Sequence, residues 1–194
     1  LESYDVQVIR PINISGVNQI YARDIAFVIE DKLFLPNIIE DRSQELEALK
    51  GLFDSFDQRQ VVKMPDHVRI EGGDVILKDD HIFIGYSKEE DFNEFKVART
   101  NQAGVDFIQN VFPNKKVICY ELKKSDIDPR SSALHLDCCF QPIGDKGAII
   151  CQAGFKNRED FDSLVKMFNA DNLILIDSDA MYNMNSNIFS ISNK

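Results

Sequence analysis

No uninterrupted apolar stretch in the sequence approaches the ~18 to 20 residues that a membrane helix requires. The opening, Leu1-Glu2-Ser3-Tyr4-Asp5, lacks the basic and apolar regions of a secretory signal. Basic runs are also absent. The longest are the pairs Lys115-Lys116 and Lys123-Lys124, and 22 Lys plus Arg face 32 Asp plus Glu. A formal net charge of −10 gives no basic footprint, so neither nucleic acid nor membrane is an expected partner. The acidic excess reads as a solvated surface with some attraction for cationic small molecules. Cysteine is scarce. Cys119, Cys138, Cys139 and Cys151 form no CxxC pair, which argues against a zinc ribbon or a secreted disulfide scaffold. Buried thiols in a reducing, cytoplasmic compartment are the expectation. No long Pro/Gly linker divides the chain, so residues 1–194 read as a single domain.

What the sequence does contain is a weak internal repeat. From Tyr21, YARDIAFVIEDKLFLPNI reads as two strands with a turn at Asp31-Lys32. A helix is predicted from about Arg42 to Phe56, with Leu46, Leu49, Phe53 and Phe56 at helical spacing. Asp41 with Gln44 reads as its capping box, and Val61-Val62 as a closing strand. The order returns from Ile70: a hairpin turning at Asp79-Asp80, a helix from Val97 to Val111, and a strand Lys116–Tyr120. It returns again from Leu134. There the hairpin turns at Gly144–Gly147, a helix runs from Arg158 to Phe168 with Asn157 and Asp160 as cap pair, and Leu173–Ile176 closes the unit. A fourth unit begins at Asn185-Ser186-Asn187-Ile188-Phe189. The fold class is therefore α/β, about three and a half ββαβ units. Such units cannot bury the helix-facing side alone and must pack on neighbours.

Each unit opens with polar residues ahead of its first strand: Arg23-Asp24, Glu71-Gly72-Gly73-Asp74, His135-Leu136-Asp137 and Asn185-Ser186-Asn187. If the units close into a ring, equivalent positions converge. Asp24, Glu71, His135 and Asp137 would then form an anionic hole with a general acid/base group. A planar guanidinium suits that hole, because its fork of N–H donors matches paired carboxylates. Read singly, each motif has a plainer meaning. Asp24 beside Arg23 suits a surface salt bridge, Glu71-Gly72-Gly73 suits a turn, and His67 and His81 suit the surface. Glu71, His135 and Asp137 would also serve as metal ligands.

Four motifs lie in order: Tyr21-Ala22-Arg23-Asp24, Glu71-Gly72-Gly73-Asp74, Ala98-Arg99-Thr100-Asn101 and His135-Leu136-Asp137. With these the chain resembles the guanidine-modifying (pentein) superfamily: arginine deiminases, dimethylarginine dimethylaminohydrolases and amidinotransferases. The resemblance implies a five-bladed α/β propeller of ββαβ units. It implies a small guanidino substrate and covalent chemistry with no metal and no cofactor. A Cys thiolate attacks the guanidinium carbon, a His protonates the leaving amine, and water or a second amine resolves the adduct. Carried over by motif, Glu71 and His135 are the catalytic pair, and Asp24 and Asp137 bind the guanidinium nitrogens. Arg99 holds the substrate α-carboxylate, with Asn18, six residues before Asp24, at the same end.

One departure stands out. The family's nucleophile follows the unit that begins here at Asn185, and no Cys follows Cys151. The expectation is a chain cut at both ends, with one unit before Leu1 and the nucleophile beyond Lys194. Hydrolysis of a guanidino C–N bond is the leading function. An amidinotransferase, or a guanidine-binding module without catalysis, are the alternatives.

Overall fold

Three sheets of identical wiring succeed one another in the computed structural model, which describes residues 1–189. The first holds β1 (Phe27–Ile29), β2 (Lys32–Leu35) and β3 (Val61–Lys63). The second holds β4 (Val75–Lys78), β5 (His81–Tyr86) and β6 (Lys116–Glu121). The third holds β7 (Phe140–Ile143), β8 (Gly147–Cys151) and β9 (Leu173–Ile176). In each, an antiparallel hairpin is followed by a helical crossover to a third strand parallel to the second. This is the ββαβ unit expected from the repeat, in a mixed α/β fold.

Local chemistry fixes the hairpins. Ile29 pairs with Lys32, so the first turn is Glu30-Asp31, one residue earlier than the sequence suggested. Glu30 (φ 56°), Asp79 (φ 54°) and Gly144 (φ 52°) open the three turns in the left-handed region, which Gly and Asp adopt readily and Glu rarely.

The helices depart further from expectation. The segment 42–56 is not one helix but two short ones, α2 (Ser43–Glu47) and α3 (Lys50–Ser55), after a 3-10 turn at Glu40–Arg42. No side-chain cap forms at any of these starts, so Asp41 and Gln44 are not a capping box. An unexpected helix, α4, covers Glu89–Glu94. Residues 97–100 are not helical: α5 (Gln102–Val111) starts where the Asn101 side chain accepts the Gly104 N–H. The last crossover helix, α6 (Arg158–Val165), stops short of Phe168. Asn157 sits at its N-cap but binds the carboxylates of Glu121 and Asp160 instead of a backbone N–H.

Packing follows strand alternation. Along β5, Ile82 and Ile84 enter one core with Phe34, Val105 and Ile108, while Phe83 enters the other with Phe140, Ile150 and Leu164. The middle sheet is therefore covered on both faces and joins the three units. Each fully buried side chain of this kind contributes roughly 1.5–3 kcal/mol, and a Phe83→Ala cavity would remove about 3–5 kcal/mol. A lone bridge, Leu122 to Phe155, ties the second unit to the third. Ile188 and Phe189 lie in no regular element, and residues 190–194 of the fourth unit lie outside the described residues. Among the described residues, no helix is long and apolar enough to cross a membrane.

Candidate active site

Each first strand is entered through one helical turn. These are α1 (Ala22–Ile25) ahead of β1, a 3-10 turn Gly72–Asp74 ahead of β4, and a 3-10 turn Leu136–Cys138 ahead of β7. The same backbone bond closes all three: Asp24 N–H to Tyr21, Asp74 N–H to Glu71, and Cys138 N–H to His135. Tyr21, Glu71 and His135 are thus equivalent residues, each standing just before its turn. Cys138 and Cys139 belong to the third turn and its end, ahead of the strand instead of within it. The turns press together where glycine permits. A Cβ on Gly72 would overlap the Arg23 carbonyl. One on Gly73 would stand 2.6 Å from Asp24 Oδ1 and 2.7 Å from His135 Cγ.

His135 Nε2 lies 2.8 Å from Glu71 Oε2, and His135 Nδ1 lies 3.7 Å from Asp24 Oδ1. All three groups are buried. Burial favours the neutral imidazole. The hydrogen bond to Glu71 and the charges of Asp74 and Asp24 outweigh it and raise the His135 pKa to about 9. Burial likewise pushes Glu71 up, yet His135, Arg99 and Arg42 together hold its carboxyl below the ordinary value. Asp137 differs. Burial dominates there, against His135 and Arg23, and lifts it to about 6.

Three arginines complete the site. Arg42 Nη1 donates to Asp24 Oδ2 at 2.7 Å, while Nε and Nη2 grip Glu45 at 2.7 and 2.8 Å. Asp24 therefore has Arg42 as its cation and not its neighbour Arg23, and it is buried instead of lying on the surface. Arg23 faces Asp137 at 3.5 Å and donates to the carbonyls of Gly72 and Val75. Arg99 Nη1 donates to the Lys96 carbonyl at 3.0 Å. Its buried Nε, 3.7 Å from Glu71 Oε2, has no hydrogen-bond partner among the described residues. Arg42 has spent most of its fork internally, and Arg99 has not.

His135, Asp24, Asp137, Arg99, Arg42 and Asn18 all line one cavity of about 890 Å³. Asn18 is exposed at its rim, its Oδ1 accepting the Ile20 N–H. Glu71 does not reach the wall; it stands behind His135. Cys138 does reach it, but burial and the Asp137 charge push its thiol up to about 12. Asp24, Glu71 and His135 also offer ligand atoms within 4.8 Å of one another. A metal ion there would compete with Arg42 for Asp24 and with His135 for Glu71.

The family model for N,N dimethylarginine dimethylhydrolase, eukaryotic, matches residues 3–194. The chain belongs to this family. With it, the chain belongs to the guanidine-modifying superfamily. The chain is 29% identical over 195 residues to the uncharacterized protein YkgA of Bacillus subtilis (strain 168), covering 100% of this chain and 60% of that protein. Among solved structures, it is similar to the N-terminal domain of ArgZ bound to substrate, an arginine dihydrolase from cyanobacteria. That match has TM-score 0.69 and 18% identity, over 88% of this chain and 58% of the other. It is also similar to DDAH from Pseudomonas aeruginosa complexed with citrulline, with TM-score 0.61 and 20% identity, over 84% of this chain and 55% of the other. These two likenesses speak to the fold. The chain thus spans about 60% of the length of the relative it matches.

For this dimethylarginine dimethylhydrolase family member, sequence reasoning missed Arg42. It falls within a mixed-charge stretch, Glu40-Asp41-Arg42-Ser43-Gln44-Glu45, that reads as a solvated helix start. The one available signal was the spacing Arg42 to Glu45, which places both on one face of a helix.

Proposed function

We propose that the protein hydrolyses a C–N bond of a guanidino substrate of the arginine or methylarginine type, in the manner of an arginine deiminase. The observation that carries this reading is the set of charges on one cavity: carboxylates Asp24 and Asp137, the His135 acid, and an Arg99 guanidinium with donors to spare. The carboxylates would accept the N–H donors of the substrate guanidinium and fix its carbon. Arg99, with Asn18 at the rim, would take an anionic far end.

His135, protonated at neutral pH, suits the acid role. A thiolate would attack the guanidinium carbon, forming a C–S bond. As the C–N bond breaks, the His135 proton goes to the leaving amine. Water would then add to the amidino carbon and give up its proton to the neutral imidazole, and the C–S bond would break to release a ureido product. Glu71 holds the imidazolium in place and charged. Cys138 is unsuited as nucleophile because its thiol is held near 12. We assign the thiolate to a part of the protein outside residues 1–194, and the three units to a single domain that is a five-bladed propeller.

The test is incubation of the full-length protein with arginine and with methylated arginine, followed by an assay for the ureido product. Turnover is expected, and it should be lost in His135→Ala and Glu71→Gln. Product formed only with an added amine acceptor would identify a transferase. Binding without product would leave a guanidine-binding module.

A further inference from the structure

Behind His135, away from the cavity, lie two buried groups of opposite charge that the proposed chemistry does not use. Asp74, at the end of the second turn, is fully buried, and Lys124, three residues beyond β6, is 8% exposed. Burial drives each toward its neutral form. Burial prevails at both: it raises Asp74 against the charges of His135 and Lys124, and it lowers Lys124 against the charge of Asp74. Buried charges are retained at a cost, so the groups they hold are informative.

Their hydrogen bonds converge on the backbone around the histidine. Lys124 Nζ donates to the carbonyls of Ala133 and Leu134, both at 2.8 Å. Asp74 Oδ1 accepts the Leu136 N–H at 2.9 Å, and Oδ2 accepts the Thr100 hydroxyl at 2.6 Å. Thr100 Oγ1 in turn accepts the Glu71 N–H at 3.2 Å. The peptide groups on both sides of His135 are thus held by ionisable side chains, and Asp74 reaches the Glu71 N–H through Thr100. The assembly has no slack: a Cβ on Gly85 would stand 2.6 Å from Asp74 Oδ1 and 2.9 Å from Leu136 Cβ.

We infer that Asp74 and Lys124 are positioning residues for His135, an ionised pair that clamps the backbone on either side of it and balances the field on its ring. The catalytic consequence rests on the hydrolase reading above; the clamp does not. Glu71, Asp24, Asp74 and Asp137 turn negative charge toward the ring. Arg42 and Arg99 act on it through Glu71, and Lys124 through Asp74. A neutral scaffold would hold the same backbone but leave the charge on the ring untouched. The ionised pair does not: losing Asp74, or losing the Lys124 charge that favours ionised Asp74, lowers the midpoint of the ring.

The experiment is a ring-nitrogen NMR titration of His135 in the full-length protein, assigned by loss of its signals in His135→Ala. Asp74→Asn, nearly isosteric, is expected to lower the midpoint by about one pH unit, the size of effect a nearby charge produces. Lys124→Met is expected to lower it too, because the buried Asp74 carboxyl then takes up a proton. An unchanged midpoint in both, or a rise in either, would overturn the inference. Should either variant fail to fold, the wild-type protein supplies a second measurement. The Asp74 carboxyl carbon and the Lys124 Nζ should report ionised groups at pH 7, and a neutral pair would sink the proposal. In turnover assays, the pH limb should follow the ring midpoint. A limb that stays fixed while the ring moves removes the acid role from His135 and leaves the clamp standing.

Discussion

Glu71 and His135 occupy the same position in successive repeats, and that equivalence brings Oε2 and Nε2 to 2.8 Å. Each precedes a single helical turn, and the turns approach so closely that a Cβ on Gly73 would meet both Asp24 and His135. The ion pair is thus a consequence of repeat geometry.

The pH dependence of stability should show it. His135 is raised from 6.5 to about 9 in the folded state. Its contribution is fully present below pH 6.5 and is lost as pH rises through 9. Glu71 is depressed below 4.5, so its contribution is present above that value and is lost as pH falls through its folded pKa. Thermal melts should therefore decline between pH 6.5 and 9. Glu71→Gln should flatten that decline, since it removes the partner that raises His135. An unaltered slope in the variant would count against the pairing.

Arg42 binds Asp24 and Glu45 at once, with all three side chains largely buried. Arg42→Met would leave two carboxylates unpaired, at a cost of roughly 3–5 kcal/mol. Arg42→Lys should fall in between, because an ammonium cannot present a planar fork to both. Urea unfolding of the three proteins measures this directly.

Asp137 is raised from 3.8 to about 6, chiefly by burial. Its ionised form therefore destabilises the fold, and the cost grows as pH rises from 3.8 through 6. Asp137→Asn should gain roughly 1–3 kcal/mol at pH 7 and nothing below pH 3.8. The same change should weaken guanidinium binding, a trade of function for stability. Calorimetry with arginine and a melt at pH 7 test the two halves together.

Gly73→Ala should abolish ligand binding, because its Cβ would meet both Asp24 and His135. Overpacking of this kind costs about 1–3 kcal/mol or more. Gly51→Ala in α3 is the matched control: nothing lies within 4 Å of its Cβ. It should stabilise by about 0.5–1 kcal/mol through helix propensity alone. Comparable losses in both variants would contradict the packing described here.

The ββαβ units could be read from the sequence because strand alternation and left-handed turn residues are local signals. Ile82, Phe83 and Ile84 declare a strand buried on both faces before any partner is known. Helix boundaries were less accessible. The start of α5 is set by Asn101, which also accepts the Arg69 N–H and donates to the His67 carbonyl, contacts made across 32 and 34 residues. Asp24, Glu71, His135 and Asp137 were identified because each stands at a repeat boundary. Arg42 lies inside a crossover, and its value to the site comes from Asp24, eighteen positions away.

The helical turns ahead of the first strands are variants of one frame. One holds Tyr21, the next Glu71, the next His135, on the same hydrogen-bonded frame. The same closing bond stands behind an exposed tyrosine, a buried carboxylate and a buried imidazole. One backbone position thus carries three different side-chain chemistries while the bond that closes its turn stays the same.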